Sequence, residues 1–247
     1  MSAPTQSALI LGATGATGKH LLAQLLASPH FSRVGEYGRR VSSLEGRESE
    51  PARGKLEQKV INFENLGESG MKEGKWDVVF VTLGTTKASA GSAAAFEKID
   101  REYVVNAAKE AKTDDPEHKQ RIVYLSSSGA NASSPFLYLR SKGLTEAALA
   151  RLGYADTIVF RPGLFKGTER PGGRAAETVL GYITGAMSYF SPNVEIEVPL
   201  LAKSILNAGR LGTPSLPNSI GTTKAGTDNA WYTVIGNRGA SVLGREE

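Results

Sequence analysis

The chain has 247 residues and no cysteine. Disulfides, thiolate metal sites and a cysteine nucleophile are excluded together. Histidine is almost as scarce. His20, His30 and His118 are scattered without metal-ligand spacing, so no metal is expected. No segment approaches the roughly 18 consecutive apolar residues of a membrane span. Nothing before residue 8 pairs a basic stretch with an apolar core, and the residues ahead of the first strand are too few for an arginine-rich presequence. The net charge is +4, yet no basic run and no aromatic–basic interleaving marks a nucleic-acid groove, so no nucleic-acid partner is expected.

What the chain does have is enough apolar sequence, 40% hydrophobic against 22% charged, to bury a sizeable core. Short apolar runs alternate with helical stretches. Strands are predicted at 8–11, 33–38, 59–63, 77–82, 121–125, 157–161 and 231–235. Helices are predicted at 19–27, 93–112, 137–152 and 205–210, the second with Phe96, Ile99, Tyr103, Val104 and Ala107 on one face. The polar stretch 41–58 reads as a loop, and 211–229, rich in Gly, Pro, Ser and Thr, as a mobile one. There is no internal repeat. The pattern predicts one α/β domain over 1–247: a Rossmann-type, doubly wound parallel sheet with helices on both faces. A small irregular C-terminal substrate lobe is expected at about 164–230.

The first βα unit carries the strongest motif. An apolar run ends in Gly12, Gly15 and Gly18, spaced by three, and a helical pattern follows. Such a turn cradles a dinucleotide pyrophosphate on backbone N–H groups at the helix start. Its residues are Gly12, Thr14, Gly15, Ala16, Thr17 and Gly18. The second strand ends in Gly38-Arg39-Arg40, beside the expected adenosine ribose. An acid there would bind the 2′-hydroxyl of NAD, whereas arginine accommodates the 2′-phosphate, so the pair favours NADP. Glu36 would reverse that reading if the strand ended earlier.

Tyr138 and Lys142 lie four apart at the start of a helix, on one face. An ammonium near a phenol favours the phenolate, and such a tyrosine exchanges a proton with a carbonyl or alcohol oxygen while hydride moves. Ser126, Ser127 and Ser128, at the end of the fifth strand, supply a hydroxyl for that oxygen.

These residues, with Leu83-Gly84-Thr85 and Arg161-Pro162-Gly163, resemble the extended or atypical branch of the short-chain dehydrogenase/reductase superfamily. The likeness runs well over about 7–165. The stretches LILGATGATG, EYGRR and FLYLRSKGLTE are closer still to the Tat-interacting-protein-like group and to fungal proteins of the "found in mitochondrial proteome" type. By this resemblance Tyr138 is the general acid/base and Lys142 binds the nicotinamide ribose. Ser127 orients the substrate, with Ser128 close behind. Thr82, Leu83 and Gly84 line the adenine-to-ribose path, and Pro162, Gly163 and Leu164 pass near the carboxamide. Where many relatives carry asparagine in the helix after the fourth strand, this chain has Asp100. The resemblance also implies peripheral association with the mitochondrial outer membrane.

The expected activity is NADP(H)-dependent reduction or oxidation of a small carbonyl or alcohol. A non-catalytic NADP(H)-binding regulator or redox sensor is the alternative reading, and an NAD-using epimerase is disfavoured by Arg39-Arg40. Tyr182, Met187, Tyr189 and Phe190 form an apolar cluster read as pocket lining, core or membrane-surface patch. Leu144, Ala147, Ala148 and Leu149 fit either a core face or a dimer contact, leaving monomer and homodimer open.

Overall fold

A computed structural model describes residues 5–43, 54–166 and 195–246. The predicted Tyr182, Met187, Tyr189 and Phe190 cluster lies outside the described residues. Eight strands form one sheet: β1 (Gln6–Leu11), β2 (Phe31–Gly38), β3 (Leu56–Val60), β4 (Val78–Val81), β5 (Arg121–Leu125), β6 (Asp156–Arg161), β9 (Thr223–Thr227) and β10 (Ala230–Gly236). Their order is β3-β2-β1-β4-β5-β6-β10-β9, parallel throughout except for the antiparallel edge strand β9. The first six strands follow the doubly wound order, and the direction in which successive strands are added reverses between β1 and β4, where such sheets open a ligand crevice. A separate parallel pair joins β7 (Leu164–Lys166) to β8 (Glu195–Glu197).

The alternation of a strand buried on both faces is explicit in β1. Ala8 and Ile10 enter one core, Leu9 and Leu11 the other, and all four are fully buried. Helices α1 (Ala16–Ala27), α6 (Val198–Leu211) and α7 (Asn237–Leu243) cover the first core. Helices α4 (Tyr103–Glu110) and α5 (Leu137–Ala150) cover the second. Each fully buried Leu, Ile, Val or Phe contributes about 1.5–3 kcal/mol, so the two layers hold the strand ends against each other.

Three expectations are corrected. The third strand is Leu56–Val60, not 59–63; Ile61 and Phe63 are buried after the strand has ended, which made them read as part of it. The helix expected at 93–112 is broken into α3 (Ala93–Glu97), a π-helical turn (Lys98–Glu102) and α4, after a short capped α2 (Lys87–Ala90). Within 211–229, read as a mobile loop, two 3-10 turns and β9 are found, β9 pairing with β10 across a two-residue hairpin. The C-terminal helix α7 follows β10 directly and was not foreseen.

Candidate active site

The glycine turn joins β1 to α1 at the switch point. Gly12 has φ +97°, and a Cβ there would sit 2.5 Å from the Leu83 nitrogen, so only glycine lets the end of β4 pass so near. Gly18 is needed for space: a Cβ would come 2.1 Å from the Gly12 carbonyl oxygen. Gly15, the N-cap of α1, has an ordinary extended conformation and only the Gly12 oxygen near a virtual Cβ, at 3.2 Å. No side chain caps α1 and no acid occupies its first turn, which leaves its N–H groups and positive dipole end for an anion. Thr82, at the end of β4, donates through its hydroxyl to the Leu11 and Gly12 carbonyls and ties the two crevice walls together.

Strand β2 ends at Gly38, and Arg39 and Arg40 follow it, both exposed. Glu36 is buried and already engaged. It accepts the Ser42 N–H (2.7 Å), the Ser42 hydroxyl (2.7 Å) and the Gln58 amide (2.7 Å). Its carboxylate ties the segment after β2 back onto β3.

Beyond the crevice, Tyr138 and Lys142 lie on one face of α5. Lys142 is buried, and its Nζ donates to Asp100 Oδ1 (3.0 Å) and to the Tyr124 hydroxyl (3.2 Å). Two of its three donors are thereby spent. The Nζ is 5.8 Å from the centre of the Tyr138 ring, which is half-buried against Phe96. Burial opposes the charge on Lys142, but Asp100, Tyr124 and Tyr138 prevail and hold its ammonium well above the ordinary lysine value. Burial also pushes the Tyr124 phenol well up, against the pull of Lys142. A Cβ on Gly84 would meet Asp100 Oδ1 at 3.1 Å and Lys142 Nζ at 3.3 Å, so the ion pair stands directly against the turn after β4.

The serine triplet divides. Ser126 is buried and its hydroxyl donates to Glu146 Oε1 at 2.5 Å. Ser127 and Ser128 are half-buried; the Ser127 hydroxyl donates only to the Ser128 carbonyl (3.3 Å), and the Ser128 N–H to the Pro162 carbonyl (2.9 Å). Glu146 is fully buried, one turn beyond Lys142, and also accepts from Arg161 and from the Tyr232 hydroxyl (3.0 Å). Burial first and Glu146 second push the Tyr232 phenol up to about 12. This second cluster pins the ends of β5, β6 and β10 to α5. The Pro162-Gly163-Leu164 segment is fixed in turn by Asn237, whose Oδ1 accepts the Gly163 N–H at 3.0 Å. Sequence reasoning missed Tyr124, Glu146, Tyr232 and Asn237. The signal for Glu146 was its place four residues after Lys142, which repeats the buried face.

A family model described as NAD(P)H-binding matches residues 12–183, more than half of the chain. The chain belongs to this NAD(P)H-binding family. Its relatives include the protein HTATIP2 of Rattus norvegicus, 39% identical over 196 residues that cover 77% of this chain and 78% of that protein. Protein fmp52, mitochondrial, of Emericella nidulans is 31% identical over 229 residues, covering 90% and 93%. Among solved structures, the UDP-Glc/GlcNAc 4-epimerase of Campylobacter jejuni superposes with a TM-score of 0.59 at 14% identity, covering 83% of this chain and 74% of that one. A short-chain dehydrogenase/reductase of Saccharomyces cerevisiae gives 0.56 at 16%, covering 83% and 90%. At such identities these structures speak for the fold alone.

The residues fit the ligand class of an NAD(P)H-binding family member. The uncapped α1 terminus and the open approach at Gly15 suit the pyrophosphate of a nicotinamide dinucleotide, on a turn whose close backbone packing requires glycine at Gly12 and Gly18. Among the described residues no cluster of His, Asp or Glu is arranged to hold a metal, and no helix is long and apolar enough to cross a membrane.

Proposed function

We propose that the chain is an NADP(H)-dependent oxidoreductase of the short-chain dehydrogenase type, acting on a small carbonyl or alcohol. The observation that carries this reading is the placement of Tyr138 one turn from the buried, charged Lys142, beside the turn after β4. When bound, the nicotinamide supplies or accepts the hydride. Tyr138 gives or takes the proton at the substrate oxygen, with the Ser127 hydroxyl as hydrogen-bond donor to that oxygen. Lys142 keeps one N–H donor for a ligand hydroxyl and a positive charge near Tyr138. Arg39 and Arg40 answer the 2′-phosphate. Their exposure after β2 and the engagement of Glu36 elsewhere support NADP over NAD. Fungal relatives named mitochondrial support a mitochondrial location, to which we add peripheral attachment at the outer membrane.

A second reading is favoured by one specific observation. Asp100 already compensates the charge of Lys142, as a protein that binds the dinucleotide and senses it without turnover would tolerate. One experiment separates the two. Purified protein is offered NADPH with a panel of aldehydes, ketones and quinones. Oxidation is expected with some member, and Tyr138→Phe should abolish it while NADPH binding persists. Binding without turnover across the whole panel favours the sensor. In thermal melts NADP should stabilise more than NAD, and equal shifts would overturn the arginine argument.

A further inference from the structure

We propose that Asp100 is the positioning residue for Lys142: its carboxylate, presented on the π turn, holds the ammonium against Gly84 and locks together the turn after β4, β5 and α5. The proposal rests on the nicotinamide-binding reading of this crevice but does not require turnover.

The π turn inverts ordinary burial. Of Lys98–Glu102, the fully buried side chain is Asp100, while its apolar neighbour Ile99 stays partly exposed. Charged side chains are almost never fully buried unless paired, so the inversion needs a reason. The reason is in its contacts. Asp100 Oδ1 accepts from Lys142 Nζ (3.0 Å) and from the Thr85 N–H (3.3 Å), and Oδ2 accepts from the Ser141 hydroxyl (3.3 Å). Thr85 belongs to the turn after β4, Ser141 and Lys142 to α5, and Tyr124, the other partner of Lys142, to β5. One carboxylate therefore joins three elements at the point where the dinucleotide path passes Gly84.

The groups that face Lys142 are Asp100 from the π turn, Tyr124 from β5 and Tyr138 from its own helix. Glu146, one turn further on, is committed to Arg161. Asp100 is the anion of that set. A carboxamide in its place keeps the size and an acceptor for Thr85 but removes the charge, so Asp100→Asn isolates the electrostatic role. A buried lysine stripped of its counter-charge sheds its proton at lower pH.

The test uses full-length protein and two readouts. The first is stability against pH from about 7 to 9, below the ordinary range of tyrosine and lysine. In the wild type the folded Lys142 holds its proton more tightly than the unfolded one, so its contribution is fully present throughout this window and is lost only at higher pH. In Asp100→Asn the folded state releases the proton first, the unfolded state binds more protons, and stability must rise with pH relative to wild type. The second readout is NADPH affinity over the same window. It should hold steady for wild type and fall by about tenfold, the weight of one unit in proton affinity, for Asp100→Asn. Lys142→Met should be weak and flat.

Should Asp100→Asn fail to fold, the double variant Asp100→Asn/Lys142→Met is expected to fold, because removing both charges leaves neither unpaired. A single variant that follows the wild-type profile in both readouts overturns the proposal, as does a double variant no more stable than the single. If wild type does not bind NADPH at any pH, the cofactor reading falls, and the stability profile still decides the role of Asp100.

Discussion

Alanine at Gly18 and alanine at Gly15 should act on the same turn in opposite ways. At Gly18 the new Cβ would lie 2.1 Å from the Gly12 carbonyl oxygen and 2.8 Å from the Ala13 Cα, backbone atoms that cannot rotate aside. Overpacking of this kind costs about 1–3 kcal/mol and sometimes more. Since Gly18 lies within α1, the helix propensity of alanine returns about 1 kcal/mol. Because the atoms met are rigid backbone, the cost sits at the upper end, about 3 kcal/mol, and the net loss of about 2 kcal/mol lowers the melting temperature of a chain this size by about 4–8 °C. At Gly15 the Cβ would meet the Gly12 oxygen alone, at 3.2 Å, in a conformation open to any residue. The loss of glycine at the N-cap and the gain in chain entropy nearly cancel, leaving stability within about 1 kcal/mol.

Binding should reverse the order of harm. A methyl at Gly15 stands where the anion must approach, and charge-assisted hydrogen bonds of about 1.5–3 kcal/mol are at stake. That corresponds to a rise in NADPH Kd of about 10- to 150-fold. Melting curves with and without NADPH, paired with calorimetric titration, measure both quantities. The reasoning is refuted if Gly15→Ala binds NADPH like wild type, or if Gly18→Ala melts at the wild-type temperature.

Glu146→Gln leaves Arg161 without its counter-charge. Because Arg161 is 28% exposed, the cost should sit near the low end of a broken buried pair, about 3 kcal/mol. This appears as a fall of about 6–12 °C in melting temperature. Glu57 carries an acid-side signature. Partial burial raises its carboxyl, but hydrogen bonds from Tyr37 and Arg33 outweigh that and hold it below the usual carboxylate range. Its contribution is complete above about pH 4.3 and is lost as the pH falls through the lowered folded value. Urea midpoints between about pH 5 and 3 should be flatter for Glu57→Gln, by less than about 1 kcal/mol because the pair is half-exposed.

Where local pattern and tertiary role agreed, the sequence was readable. β1, its glycine turn and α1 are signalled by the same residues that form them, and Tyr138 with Lys142 follow from helical spacing. Reading failed where tertiary contacts overrule pattern. β9, Thr223–Thr227, lies at the sheet edge with little burial and so shows no apolar alternation. Ile61 and Phe63 are core residues in a turn, and they drew the third strand past its end. The partners of Glu146 come from β5, β6 and β10, which no spacing along the chain connects. Asp100 stood out as a departure from the family pattern, but its burial was hidden by Ile99 beside it.

The π turn also sets a phase. Eight residues separate Phe96 from Val104, which in an α-helix would turn them about 80° apart. With one residue absorbed by the wider turn they behave as if seven apart, within about 20°, and both are buried. The two halves of this helix are rulers joined with an offset. Removing one residue from 98–102 would close the offset, keep the packing of α4 and bring a different side chain opposite Lys142. What faces that lysine is thus written in the length of the helix as much as in its letters.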